Sequence, residues 1–253
     1  MDFDFPRGAV LMFGASGGIG QGVARYFGAC GADVALVYRK KKDVAEAVAQ
    51  SVWDSGRRAT VHCVDVSDRT ALTALVGDVM AEYGRIHTVV WAVGPVAEQV
   101  LMGDATPDQW NRAIDVETKG FFNVVQATLP HLREHGGSYV HLGSAGQTLF
   151  PIRDGLSVVP KAANEALCRA IAREEGVHGV RANSILLGVI DAGMFHELTQ
   201  RGVFDEKWVK ETHRMLALKR WGQPEEVGHA AVFLATNGYV TGQQISVSGG
   251  FGV

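Results

Sequence analysis

The sequence predicts an α/β fold: a doubly wound parallel sheet with helices on both faces. Three observations carry this expectation. Short apolar runs alternate with longer amphipathic stretches from one end of the chain to the other, the pattern of strand–helix–strand units. The run Ile86 to Val93 is continuous rather than alternating, as expected of a strand covered on both faces. A glycine-rich turn joins the first strand to the first helix.

Each element follows from local signals. Gly8 to Phe13 is the first strand, and Gly18 to Ala29 carries Ile19, Val23 and Phe27 at helical spacing, with Gly31 placed to end it. Val34 to Tyr38 is the next strand. Asp43 to Asp54 is an amphipathic helix closing at Gly56, and Thr60 to Val64 is the third strand. Ser67 is placed to cap a helix bearing Leu72, Leu75, Val79 and Tyr83, which Gly84 ends. After the fourth strand, Thr106-Pro107 reads as a capped start with proline in the first turn, opening a long helical region to about His135. Tyr139 to Leu142 and Arg181 to Leu187 are strands five and six, with a helix from about Ser157 to Glu175 between them. Pro224 opens a helix through Leu234, and Gln244 to Val247 is the last strand. Residues 188–220 break the rhythm with Phe195, His196, Phe204 and Trp208 among charges. They read either as a substrate lid or as an ordinary surface excursion.

Composition bounds the function. The chain has 253 residues, 47% hydrophobic and 20% charged, which suits a single domain over 1–253 with a substantial core. Net charge is −3 and Arg39 to Lys42 is the only compact basic cluster, so neither nucleic acid nor an anionic membrane is an expected partner. Cys30, Cys63 and Cys168 are scattered without CxxC spacing, as expected of reduced thiols in a cytoplasmic protein. Met1 to Arg7 lacks a signal-peptide pattern, and no apolar run reaches the length of a membrane span. His131 and His135 have a spacing that can bind metal, but no third ligand is evident. They read as a solvated helix end, and no metal site is expected.

The strongest local signal is Phe13-Gly14-Ala15-Ser16-Gly17-Gly18-Ile19-Gly20. Between a strand and a helix, such glycines let backbone N–H groups approach a pyrophosphate at the positive end of the helix dipole, as in Rossmann-type folds. The second strand ends Tyr38-Arg39-Lys40 with no acid to bind both ribose hydroxyls, whereas Arg39 with Lys40 can hold a 2′-phosphate. The expected cofactor is therefore NADP(H).

The spacing of Gly14, Gly18 and Gly20 resembles the short-chain dehydrogenase/reductase family, close to its 3-oxoacyl-ACP reductase-like members. The resemblance continues through Asp65-Val66, Lys161-Ala162-Ala163, Arg181 to Ile185, Arg220 to Val227, Thr241-Gly242 and Ser248 to Gly250. It implies an oxidoreductase acting on a small-molecule carbonyl or alcohol, assembled as a dimer or tetramer through its two long helices and last strand. It also implies cofactor contacts at Gly14, Ser16, Gly18, Ile19, Gly20, Arg39, Lys40, Asp65, Val66, Ala92, Gly94, Lys161, Gly188 and Ile190.

The catalytic half departs from that family. Its members use a Tyr-x-x-x-Lys pair, a serine and an asparagine. Lys161 and Ser144 match, but the tyrosine position holds Ser157 and the asparagine position holds Glu117. The family's Asn-Asn-Ala-Gly is here Trp91-Ala92-Val93-Gly94. An aliphatic hydroxyl is far less acidic than a phenol, so Ser157 is a poor general acid. Ser157 reads instead as the helix N-cap with Pro160 in the first turn, the alternative being an irregular start before the proline. Lys161, Arg153, Asp154 and His196 are candidate replacement proton donors. Glu117 is placed either to hold water or to pair with a lysine as a buried acid. Two further readings stay open: a dinucleotide-binding sensor or subunit without turnover, and a non-redox biosynthetic enzyme on the same scaffold.

Overall fold

A computed structural model describes residues 3–252; Met1, Asp2 and Val253, which close the predicted 1–253 span, lie outside the described residues. The strands are β1 (Ala9–Phe13), β2 (Asp33–Tyr38), β3 (Ala59–Cys63), β4 (Ile86–Trp91), β5 (Gly137–Ser144), β6 (Val180–Leu187) and β7 (Gln244–Val247). All pair in parallel in one sheet of order β3-β2-β1-β4-β5-β6-β7. The winding reverses between β1 and β4, and the crevice above their carboxyl ends is where such sheets bind ligands.

Strand alternation divides the core. Leu11, Phe13, Val89 and Trp91 pack on one face with α3 (Arg69–Tyr83), α5 (Gly120–His135) and α6 (Gly155–Glu174). Val10, Met12, Val90 and Val140 pack on the other with α1 (Gly18–Ala29), α2 (Lys42–Asp54) and α9 (Pro224–Thr236). The doubly wound sheet is thus as expected, and the bounds of α1 and β7 agree residue for residue.

Three local expectations are corrected. The cap of α3 is Asp68, whose side chain accepts from Ala71 N–H; Ser67 bonds Asp65 instead. The long helix after Pro107 is not continuous. The capping box of Thr106 and Gln109 starts α4 (Pro107–Ala113), but a π-helical turn over Ile114–Lys119 separates it from α5. Such wide turns collect at functional sites, and this one carries Glu117. Finally, α6 begins at Gly155 with Asp154 at its cap position. Ser157 N–H bonds Asp154 C=O at 3.0 Å, so Ser157 lies inside the first turn and Pro160 beyond it.

Residues 188–220 hold two short helices, α7 (Met194–Gln200) and α8 (Glu206–Met215). Arg220 grips Glu226 of α9 at 2.6 and 2.9 Å and fixes the far end of the excursion. No helix among the described residues is long and apolar enough to cross a membrane.

Asp33 anchors the foot of β2. Its side chain is 8% exposed and pairs with Arg57 and Arg58, each at 2.8 Å. Burial alone would raise its pKa, but hydrogen bonds and charge from Arg58 and Arg57 hold it below the usual range. Asp33→Asn is expected to cost about 2–3 kcal/mol in urea unfolding at pH 7. That is less than for a fully buried pair, because both arginines are half exposed. A depressed carboxyl stabilises above its unfolded pKa, so the gap between variant and parent should narrow as pH falls below about 3.9.

Candidate active site

β1 ends beneath the crevice and turns into α1 through the glycine loop. Gly14 has φ +79°, and a Cβ there would overlap the Ala92 carbonyl oxygen. No side chain caps α1 and no acid sits in its first turn, so its positive end is left for an anion. A Cβ on Gly18 would overlap the backbone of Gly193, so the start of the 188–220 excursion lies directly on this loop.

Two cavities flank the loop. Gly14, Ser16, Arg39, Lys40, Val66, Ala92 and Gly94, all expected cofactor residues, line a cleft of about 360 Å³. Arg39 reaches to 3.7 Å from Asp65 and stays half exposed. Asp65 does not line the cleft. It accepts from Ser67 N and Oγ at 2.9 and 2.8 Å, which together with Arg39 holds its carboxyl below the usual range. Gly20 is buried within the loop, where a Cβ would overlap the Gly14 oxygen.

The second cavity, about 250 Å³, brings together Ile19, Ser144, Ser157, Lys161, Gly188 and Ile190. Ser144 ends β5. Its Oγ accepts from Gly146 N–H at 3.1 Å, which leaves its own hydrogen to donate. The two cavities meet at Gly94, whose Cβ position would be 3.3 Å from both Lys161 Nζ and Glu117 Oε2.

Lys161 does not stand free. Its ammonium donates to Glu117 Oε2 at 2.6 Å. Glu117 is 2% exposed, and its Oε1 accepts from Trp91 Nε1 at 2.8 Å and Asn164 Nδ2 at 3.2 Å. His141 Nε2 lies 3.9 Å away, and it has no hydrogen-bond partner. Burial alone would raise the Glu117 pKa, but the Lys161 charge and the surrounding donors bring it below the usual carboxylate range. Of the two expectations for Glu117, the geometry is that of a buried acid paired with a lysine.

Sequence reasoning missed the donors around Glu117. Trp91 is simply a departure in the sequence, yet it supplies an indole N–H. Asn164, one turn after Lys161, had a readable signal in its i, i+3 spacing. Gln99, which lines the second cavity, had none. Above that cavity Phe204 stacks on Trp208 at 3.7 Å, and Phe195 packs on Trp221 at 5.1 Å.

A glycine loop under an uncapped helix, at the switch point of a doubly wound parallel sheet, defines a dinucleotide-binding α/β protein. A family model described as enoyl-(acyl carrier protein) reductase matches residues 14–252. The chain belongs to the short-chain dehydrogenase/reductase family and is a short-chain oxidoreductase. It is 32% identical to the 3-oxoacyl-(acyl-carrier-protein) reductase FabG of Chlamydia muridarum, over 96% of either chain. A short-chain type dehydrogenase/reductase from Mycobacterium ulcerans superposes with TM-score 0.90 at 27% identity, over 99% of this chain and 90% of that one. A blue fluorescent protein from a metagenomic library, solved in complex with NADPH, superposes with TM-score 0.86 at 27% identity, over 97% and 98%.

Proposed function

We propose that this protein is an NADP(H)-dependent oxidoreductase that interconverts a carbonyl and an alcohol, with Ser157 in place of the usual tyrosine. The observation that carries the reading is the continuous floor from Arg39, past the glycine loop and Gly94, to Lys161 and Ser144. The dinucleotide, when bound, supplies or accepts a hydride. Arg39 and Lys40 hold its 2′-phosphate, the α1 N-terminus its pyrophosphate, and Lys161 its nicotinamide ribose. Ser144 donates to the substrate oxygen. Residues 188–220 form the substrate lid, and Phe195, Phe204 and Trp208 favour a substrate with an apolar body. Three unpaired cysteines fit a cytoplasmic location. Exposed Trp110 and Phe122, on α4 and α5, fit a homo-oligomer, dimer or tetramer, joined through the helical region from Pro107 to His135, α6 and the last strand.

Purified protein is expected to oxidise NADPH with an activated ketone. Arg39→Ala should weaken NADPH about 10–100-fold, the loss of one or two charge-assisted bonds, and leave NADH within about threefold by fluorescence titration. Equal loss for both dinucleotides would overturn the NADP(H) assignment.

One observation favours a second reading. The Glu117 carboxylate neutralises the cation that the family uses to acidify its tyrosine, as a protein that binds the dinucleotide without turnover would tolerate. That reading expects tight NADPH binding and no NADPH oxidation across a panel of aldehydes and ketones.

A further inference from the structure

We propose that Asp154 is the proton donor of this site. The inference rests on the oxidoreductase reading above and names the group that replaces the absent tyrosine. Among the described residues lining the catalytic cavity, Asp154 and Lys161 are the only titratable side chains. Lys161 is held by Glu117 at 2.6 Å and so is fixed as a positioning cation. The other candidates fall away on geometry. His196 is half exposed, bonds Asp191 at 2.8 Å and does not line the cavity. Arg153 is exposed and does not line it either.

The chain is shaped to bring Asp154 in. Arg153 has φ +73°, a left-handed backbone rare for a residue with a side chain, and such strain collects at functional sites. On its outer side Ile152 is 82% exposed, while on its inner side Gly155 and Leu156 are buried. Asp154 then caps α6, its carbonyl accepting from Ser157 and Val158 N–H at 3.0 and 2.9 Å. One carboxyl oxygen, Oδ1, accepts from Gln99 Nε2 at 2.9 Å, which leaves Oδ2 to carry a proton. Burial raises the carboxyl above the usual aspartate range. Gln99, and Lys161 from the next turns of α6, pull the other way without cancelling it.

The step balances. In reduction a bound dihydronicotinamide would supply the hydride that the carbonyl carbon gains, and would end as the oxidised nicotinamide. The Asp154 Oδ2–H bond breaks and an O–H bond forms on the substrate oxygen held by Ser144. The carboxylate left behind takes a proton from solvent at the cavity mouth, where Ile152 is exposed. In oxidation every transfer reverses.

The test compares parent, Asp154→Asn and Gln99→Ala. Asparagine keeps the size and hydrogen-bonding of the cap. The expected result is a loss of about 10²–10⁴-fold in kcat/KM for D154N, typical of a removed general acid, with NADPH affinity within about twofold. Parent kcat/KM should fall as pH rises through the Asp154 pKa, and that fall should vanish in D154N. Gln99→Ala removes a bond that favours the carboxylate, so its fall should move to higher pH. Carbon-13 carboxyl NMR of the NADPH-bound protein should show a resonance, missing in D154N, that titrates above the usual aspartate range. D154N within about threefold of parent with the same pH profile overturns the proton route and leaves the oxidoreductase reading standing. A parent that oxidises no NADPH with any carbonyl overturns both. If D154N does not fold, an unmoved profile in Gln99→Ala overturns the route by itself.

Discussion

Glu117→Leu is expected to lower unfolding free energy by about 3–5 kcal/mol, the cost of leaving a buried charge without its partner. Three donors from two elements converge on this carboxylate: Trp91 on β4, and Lys161 and Asn164 on α6, with the carboxylate itself on the π-helical turn. Leucine fills the space but accepts nothing. It strands a Lys161 ammonium that is 14% exposed, together with a buried indole N–H. Glu117→Gln keeps one acceptor oxygen and should cost about 1–3 kcal/mol. The double variant Glu117→Leu/Lys161→Met should recover most of the loss, since an apolar pair can replace a buried ion pair at little cost. Urea denaturation at constant m-value measures all three. Because the folded Glu117 pKa is depressed, the parent's advantage is full above the unfolded value of about 4.3 and disappears as pH falls through the folded one. The groups facing it are Lys161, Asn164, Trp91 and the neutral-favouring buried His141. A Glu117→Leu protein as stable as its parent would show that the network does not hold the fold.

The glycine-loop half of the candidate site was legible because it is local. Gly14 to Gly20 span one turn between a strand and a helix, and seven of the residues expected from sequence line the resulting cleft. The continuous apolar run of β4 likewise foretold a sheet covered on both faces. The catalytic half depends on contacts distant in sequence. Trp91 and Glu117 are each a departure from the family pattern, and only the fold shows that they bond one another. The start of α6 was misplaced for a different reason. Pro160 suggested a first turn, but the helix begins at Gly155, after the Asp154 cap whose carbonyl accepts two amides and a left-handed Arg153 that redirects the chain. Tertiary context there overrode the local signal. Asp154 was one of four possible donors in the sequence, and its place in the cavity is what separates it from Arg153 and His196.

Restoring the family's tyrosine should succeed only when Glu117 is changed as well. Ser157 lines the catalytic cavity, so Ser157→Tyr places a phenol beside Lys161. A phenol has a reference pKa near 10 and needs a nearby uncompensated cation to become a useful acid. Here the cation is already paired: with the Glu117 carboxylate 2.6 Å away, the phenol meets a near-neutral dipole rather than a charge. Ser157→Tyr alone is expected to raise kcat/KM by no more than about tenfold, and Glu117→Asn alone should not raise it, because it frees the lysine with no phenol to act on. Together they should exceed the product of the single effects, and in a D154N background, where no other general acid acts, the pair should restore about 10²–10⁴-fold, the usual contribution of a positioned general acid. The rate gain should carry a pH profile set by the phenol, distinct from the fall assigned to Asp154. Equal rates for Ser157→Tyr and the double variant would show that Glu117 does not mask Lys161. No gain in either would favour the reading in which the site binds the dinucleotide without turning it over.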